Sequence, residues 1–276
     1  MGKLIIHDIK QGFVHNGPRL LLPVVIGIIA ALIFKRTYDL NGFDCSQATL
    51  MEMIIFLYKG ERYFPIEQLK EMYTLPALWL SVQIVISYLV GSYMRNDIYT
   101  YGQQVLMRCK NRWRWYMSKC VWNVMTVLYC YIVIDATIMI MTKIFGMKMS
   151  LSYDLARMAQ VSDLYIFEGT TKQMIRLAII MPVIISIAVS LLQMCISLVF
   201  SDIIGFIVVQ TKAIFATMVA NGALIFNYGM VLRSKLSSPT DIKYSTGCVV
   251  CLIIAIISVA AGVIYFSRFD ILSKED

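Results

Sequence analysis

Long apolar runs separated by short polar segments dominate the hydrophobic pattern of this chain. A membrane-spanning helix needs about 20 consecutive apolar residues, and six runs approach or exceed that length. The predicted spans are 20–34, 73–94, 120–141, 177–200, 203–232 and 247–266. The pattern therefore predicts an all-α polytopic membrane protein with one membrane domain, 1–276, and both termini on the same side.

Two of these runs depart from the usual length. The first, 20–34, is short, but the neighbouring Arg19, Lys35 and Arg36 can extend it because their side chains reach towards the interface. The fifth, 203–232, is too long for a simple crossing, so we expect it to tilt, break or run past the bilayer. Gly222 and Gly229 are the plausible break points.

The segment before the first span predicts a short amphipathic helix over 1–17. Ile5, Ile9 and Phe13 recur at four-residue spacing, which places them on one face. Such a helix is expected to lie in the membrane interface, although Gly12 weakens it. A frayed polar tail is the alternative.

Three polar segments connect the spans and differ in character. Segments 37–72 and 146–172 are expected to be outer loops, and the first is too long for a simple connection. It contains Leu50–Tyr58, an apolar stretch too short to span, which either lies on the membrane or packs on the bundle. Segment 95–119 is the most basic stretch and contains a single acidic residue, Asp97. Because positive charge near span ends marks the cytosolic side, 95–119 and both termini are predicted to be cytoplasmic.

Composition agrees with a cell-membrane location. Hydrophobic residues make up 59% of the chain and charged residues 15%, against about 45–50% and 25% in soluble domains. Mean hydropathy is +0.70. The net charge of +8 is explained by Lys and Arg beside an anionic bilayer, so nucleic acid is not expected as a partner.

The sequence carries no recognisable catalytic motif. It has no GxxxxGK[ST] phosphate loop, no HExxH and no GxSxG. The two histidines, His7 and His15, lie in the first predicted helix. Cys248 and Cys251 have CxxC spacing but no second pair to complete a zinc site, so the cysteines are interpreted as small thiols. We expect a non-enzymatic chain without catalytic, cofactor-binding or metal-binding residues.

Two charges fall inside predicted spans, Asp135 in the third and Lys212 in the fifth. Charges at bilayer depth usually face a bundle interior or water and often have a partner. One hypothesis is therefore an Asp135–Lys212 pair on a transport path. A second is a polar patch in which Asp135 joins other amides: Gln83, Gln193, Gln210 or Asn221. In the alternative, Asp135 makes a structural hydrogen bond to a neighbouring helix and Lys212 reaches to the interface.

Three stretches together resemble the membrane subunits of ABC exporters of the ABC-2 type. YGQQVLMRCKNRWRWYMSK (101–119) is similar to the family's segment leading into the third span. QMCISLVFSDIIGFIV (193–208) looks like its joint between the fourth and fifth spans, and YFSRFDIL (265–272) like its ending. The overlong fifth span fits the family's outer re-entrant element.

The resemblance implies a fold and a function. It implies an amphipathic interfacial helix, six spans, and a cytosolic coupling helix between the second and third spans that contacts a separate ATPase. The implied coupling residues are Asp97, Tyr99, Tyr101, Gly102, Val105, Leu106, Arg108, Arg112 and Arg114. In the alternative, the basic residues only set topology, and Trp113, Trp115 and Tyr116 anchor at the interface.

The expected protein is thus the permease subunit of an ATP-driven exporter for an amphipathic substrate such as a peptide antibiotic, lipid or drug. ATP and magnesium would bind the partner ATPase, and a second permease copy or a homologous permease would complete the complex. The rival hypotheses are a secondary transporter or channel that uses Asp135 as an ion or proton relay, and a membrane scaffold that transports nothing.

Overall fold

The computed structural model describes residues 2–65, 73–91, 93–94, 97 and 112–268, and within them it is all-helical. The α-helices are α1 (Gly2–Asn16), α2 (Leu22–Leu40), α3 (Leu50–Tyr58), α4 (Ala77–Gly91), α5 (Arg112–Ile144), α6 (Leu155–Ser162), α7 (Thr171–Ile175), α8 (Met181–Val199), α9 (Asp202–Met218) and α10 (Tyr244–Arg268). Short 3₁₀ turns occupy Gly17–Leu21, Cys45–Gln47, Ile225–Gly229 and Val231–Arg233, and a π turn, Arg176–Ile180, joins α7 to α8.

Four helical stretches are long and apolar enough to cross a membrane, which indicates a membrane protein. They are Leu4–Leu40, Arg112–Ile144, Thr171–Val199 and Tyr244–Ser267. Helix α4 is a shorter apolar helix, and α9 has 17 residues.

The first and fifth predicted spans have different bounds in the structure. Helix α2 continues past Lys35 and Arg36 to Leu40, so that pair lies within a helix and does not mark its end. The predicted fifth span is helical only to Met218, and Val219 is extended. The break therefore precedes both glycines expected to cause it. Its physical cause is side-chain bonding beyond the helix: the Asn227 amide donates to the Val219 carbonyl (2.8 Å) and the Asn221 carbonyl (2.9 Å).

Helix α8 lies at the centre of the bundle and packs on α4, α5, α9 and α10. Interhelical hydrogen bonds, which stabilise helix pairs at membrane depth, join it to α5. The Asn123 amide donates to the Ser190 carbonyl (3.1 Å), and the Ser190 hydroxyl donates back to Asn123 (2.7 Å).

The polar segments at the far end of α2 and α5 form a cap over the bundle, which comprises residues 41–65, 145–170 and 219–243. Its centre is α3, whose nine residues are all buried and pack against α2 and α5. Of the two placements expected for Leu50–Tyr58, the structure shows packing on the bundle. The buried Glu52 carboxylate fixes the cap by accepting from the Asp154 N–H (3.0 Å) and from Arg157 (2.9 Å).

Candidate functional site

The opposite end of the bundle contains a buried ammonium group with two carboxylate partners. The Lys119 side chain is 0% exposed, and its Nζ lies 2.7 Å from Asp8 Oδ1 and 2.6 Å from Asp97 Oδ2. The same ammonium lies 4.6 Å from the ring centroid of Tyr93 and 4.8 Å from that of Trp115. We call Asp8, Tyr93, Asp97 and Lys119 the clasp, because they join α1, the region after α4, and the start of α5.

The face of α1 that packs on α5 is the face of Asp8, Gly12 and Asn16. These residues are spaced by four and therefore share one side of the helix. All three are buried, whereas Ile6 and Val14 are 69% and 68% exposed. The Asn16 amide also donates to the Leu89 carbonyl of α4 (3.2 Å). Helix α1 thus turns polar and small residues to the protein and leaves apolar residues outside.

Gly12 makes this packing possible. A Cβ atom built at Gly12 would lie 1.8 Å from Nε1 of Trp122, well inside van der Waals contact. The sequence indicated only that Gly12 weakens the helix, and it gave no signal for the indole on α5.

The charges of the clasp do not balance. One ammonium faces two carboxylates, and Asp8 Oδ2 accepts no hydrogen bond from any described residue. The ring nitrogen Nδ1 of His7 lies 3.8 Å from Asp8 Oδ1. Removing charges from water is costly unless the partners are well placed, so this buried group depends on Lys119 to hold both acids.

The structure places part of the predicted coupling segment. Asp97 has a side chain 11% exposed and bonded to Lys119, so its carboxylate binds within the chain. Arg112 is half-buried and Arg114 is exposed, with the Arg114 guanidinium 5.6 Å from the Trp113 ring centroid. The remaining predicted coupling residues lie outside the described part of the chain: Tyr99, Tyr101, Gly102, Val105, Leu106 and Arg108.

The proposed interfacial anchoring by three aromatic residues is wrong for two of them. The Trp115 ring stacks on Phe266 of α10, with centroids 4.8 Å apart, and Tyr116 is fully buried. Trp113 is 43% exposed. Trp115 and Tyr116 therefore pack between helices, where they connect the start of α5 to α10.

The two intramembrane charges are separate in the structure. Asp135 accepts a hydrogen bond from the Tyr58 hydroxyl of α3 (3.2 Å), and Lys212 is exposed. No ion pair joins them within the described residues. Asp135 thus makes the hydrogen bond to a neighbouring helix that one alternative predicted, and the pair hypothesis is not supported.

A polar chain nevertheless extends from this point towards α4. The Tyr58 ring lies 5.8 Å from the Tyr131 ring, and the Tyr131 hydroxyl is 2.8 Å from Ser186 Oγ. Ser186 donates to Gln83 (3.1 Å), and Gln210 donates to the Gln83 carbonyl (3.4 Å). The predicted patch therefore gathers two of its four amides.

The other two amides lie elsewhere. Gln193 donates to the Ser87 carbonyl (2.9 Å), and Asn221 accepts from the Ala223 N–H in the cap (2.9 Å).

In the described residues, no group of three or more His, Cys, Asp or Glu side chains is arranged to hold a metal ion. Cys248 Sγ lies 3.5 Å from Met181 Sδ, and Cys251 is buried. Both are free thiols packed in the bundle.

Comparison with known proteins gives one match. Residues 28–272 match the model of a family described as a protein of unknown function (DUF2705). The chain belongs to the DUF2705 family. No curated protein and no solved structure matches it. The DUF2705 match includes Asp97, Lys119, Asp135 and the cap, and it begins within α2, after α1.

Proposed function

We propose that this chain is the permease subunit of an ATP-driven exporter of the ABC-2 type and has no catalytic activity of its own. In this proposal α4 and α9 complete six crossings with the four longer helical stretches, and both termini are cytoplasmic. Helix α1 lies in the interface, which suits a helix whose exposed residues include Ile6 and Val14.

The observation that carries the proposal is the clasp. An ATPase that moves segment 95–119 moves Asp97, and Asp97 is bonded to Lys119 at 2.6 Å. Lys119 belongs to α5, the third span in this proposal, and also holds Asp8 of α1. A displacement of the segment therefore reaches one span and the interfacial helix through a single ammonium group.

The remaining parts of the proposal come from the resemblance. ATP and magnesium bind a separate ATPase, two copies of which pair with two permease subunits. The substrate is amphipathic: a peptide antibiotic, a lipid or a drug. Asp97 acts as the internal link and leaves the direct ATPase contact to its neighbours, because its own carboxylate is bonded to Lys119.

A first experiment tests the ATPase partner. Purified from its native membranes in mild detergent, the chain should elute with a P-loop ATPase at fixed stoichiometry. Arg114→Ala should weaken that complex about tenfold, as loss of a charge-assisted contact does. Lys143→Ala, an exposed change at the other end of the same helix, is the matched control. A chain that purifies without any ATPase would overturn the proposal.

The Asp135 polar chain supports a second candidate, a relay in an ion-driven transporter. Asp135, Tyr58, Tyr131, Ser186 and Gln83 connect the cap to α4 through hydrogen bonds and one ring contact. Uptake of a fluorescent cationic peptide into inside-out vesicles separates the two functions. The exporter requires ATP and tolerates Asp135→Asn, whereas the relay runs on an ion gradient without ATP and is lost in that variant.

A further inference from the structure

A cavity of about 280 Å³ lies between the cap and the bundle. Its lining comes from four places: the end of α3 with the following turn, the residues leading into α4, Ile33 of α2, and two cap residues, Asp163 and Leu232. The volume is at the lower end of the roughly 300–1,000 Å³ of small-molecule sites. It suits one end of an extended molecule better than a whole large one.

The lining is divided into an apolar side and a polar side. Phe56, Leu75 and Trp79 lie on the apolar side, and the Trp79 indole is fixed by its N–H bond to the Gly229 carbonyl (3.3 Å). At the rim, Ile33 and Leu75 are 41% and 55% exposed, so apolar surface continues outward from the cavity. An occupant with an apolar tail would therefore extend along these two residues.

The polar side contains two carboxylates and one ammonium. Lys59 Nζ lies 3.2 Å from Asp163 Oδ2, and these two charges compensate each other. Glu61 is 6% exposed and accepts from the Thr74 hydroxyl at 3.3 Å. No described cavity-lining side chain besides Lys59 is cationic, so Glu61 is the acid without a cationic partner in the lining.

The backbone is shaped to bring these charges together. Gly60 has φ of +70°, and a Cβ there would lie 2.3 Å from Met230 Cγ, so this turn between Lys59 and Glu61 requires glycine. Asp163 has φ of 58° and is the non-glycine residue with positive φ among those described. An Asp tolerates that conformation, which here directs its carboxylate to Lys59.

The surrounding charges do not alter this balance. Arg233 donates through Nε to the backbone carbonyl of Glu61 (3.1 Å), but the guanidinium is bonded to other oxygens of the cap. The Arg62 guanidinium lies 5.0 Å from the Tyr165 ring centroid. Burial raises the pKa of Glu61, against opposing hydrogen bonds from the Arg62 N–H and Thr74, as expected for a carboxylate that lacks a close cation.

We propose that this cavity binds the headgroup of a long-chain ammonium amphipath, with the ammonium at Glu61 and the chain along Ile33 and Leu75. Lys59 already shows an ammonium in this setting, since its Nζ lies 5.3 Å from the Phe56 ring centroid. An anionic headgroup would meet two carboxylates against one ammonium and is disfavoured. The inference goes beyond the proposed function, because the binding requires neither an ATPase nor transport.

Photolabelling of the full chain in phosphatidylcholine–phosphatidylglycerol nanodiscs tests the site. The probes are three diazirine compounds of equal chain length that end in a primary amine, an alcohol or a carboxylic acid. The amine should label peptides containing 56–61 and 74–79 about tenfold more than the alcohol does, because a charge-assisted contact has that magnitude. Equal labelling by all three probes would show simple partition into the bilayer and would overturn the proposal.

Two variants locate the ammonium. Glu61→Gln should lower amine labelling of these peptides about tenfold, whereas Glu168→Gln, the same change at an exposed cap residue outside the lining, should leave it unchanged. Ala77→Phe should block the cavity without removing a charge, and it decides the matter if Glu61→Gln does not fold. Labelling that persists in the folded variants refutes the site. ATPase and nucleotide are absent from this assay, so its outcome is independent of the exporter proposal.

Discussion

Each end of the bundle buries one cationic side chain, and the two are held in different ways. Lys119, 0% exposed, is held by two carboxylates from separate parts of the chain. Arg233, 1% exposed in the cap, is held by neutral oxygens. Its guanidinium donates to the carbonyls of Glu61 (3.1 Å), Ala216 and Thr217 and to the Asn227 side chain (2.5 Å).

The difference lies in what the surrounding groups can do without the cation. Ala216 and Thr217 end helix α9, where carbonyls lack helical partners and favour a nearby cation. Burial lowers the pKa of Arg233 to about 10, so the side chain stays charged at neutral pH. These oxygens are neutral and are positioned by the backbone. Asp8 and Asp97 carry charges that repel each other once Lys119 is removed.

The comparison teaches which end is suited to movement. In the clasp, three elements depend on one ammonium, so a change at Asp97 alters the charge balance felt by α1 and α5. In the cap, contacts are distributed over backbone groups, including the Leu232 N–H to the Lys59 carbonyl (3.1 Å) and the Glu168 N–H to the Leu236 carbonyl (2.9 Å). We expect the clasp to respond as a unit and the cap to remain a fixed lid.

The largest effect is expected for Lys119→Met, which leaves two carboxylates buried without their cation. Breaking a buried ion pair in this way costs about 3–5 kcal/mol, measured as the free energy of unfolding in lipid–detergent micelles. Lys143→Met is the matched control at the other end of α5. Lys143 is exposed, so its change should stay within about 0.5 kcal/mol.

Neutralising the acids sharpens this first prediction. In the triple variant Lys119→Met, Asp8→Asn, Asp97→Asn, no uncompensated charge of the clasp remains, so much of the lost stability should return. If the triple variant is as unstable as Lys119→Met alone, the clasp is held by packing around the lysine stem, and the contrast with the cap fails.

A smaller effect is expected for Arg233→Met. The orphaned groups are neutral carbonyls, and each unsatisfied buried group costs about 1–3 kcal/mol. With partial access of water at the cap, we expect a loss of about 2–3 kcal/mol and faster amide hydrogen exchange over 213–233. Adding Glu61→Gln should restore nothing, unlike the neutralisation at the clasp. A loss larger than that of Lys119→Met would reverse the proposed ranking of the two ends.

The sequence predicts the helices better than it predicts their contacts. Apolar runs indicated an all-helical membrane protein, because run length responds directly to bilayer thickness. The end of α9 at Met218 was missed, because it depends on Asn227, nine residues further along the chain. Lys119 was interpreted as part of a basic surface, since nothing local to it indicates Asp8, 111 residues away. Long-range pairing of this kind has no periodicity to detect.

Gly12→Ala tests the most informative of these mismatches and should have the smallest effect of the three changes. Helix propensity alone predicts that alanine stabilises α1 by about 1 kcal/mol. The structure predicts the opposite sign, because the new Cβ would lie 1.8 Å from Trp122 Nε1 and would push α1 and Asp8 away from α5. Overpacking of this kind costs about 1–3 kcal/mol, measured by the same unfolding experiment. Gly2→Ala is the control, since a Cβ there meets nothing within 4 Å. If Gly12→Ala stabilises the protein as much as Gly2→Ala does, α1 does not rest on Trp122, and the clasp loses its interfacial helix.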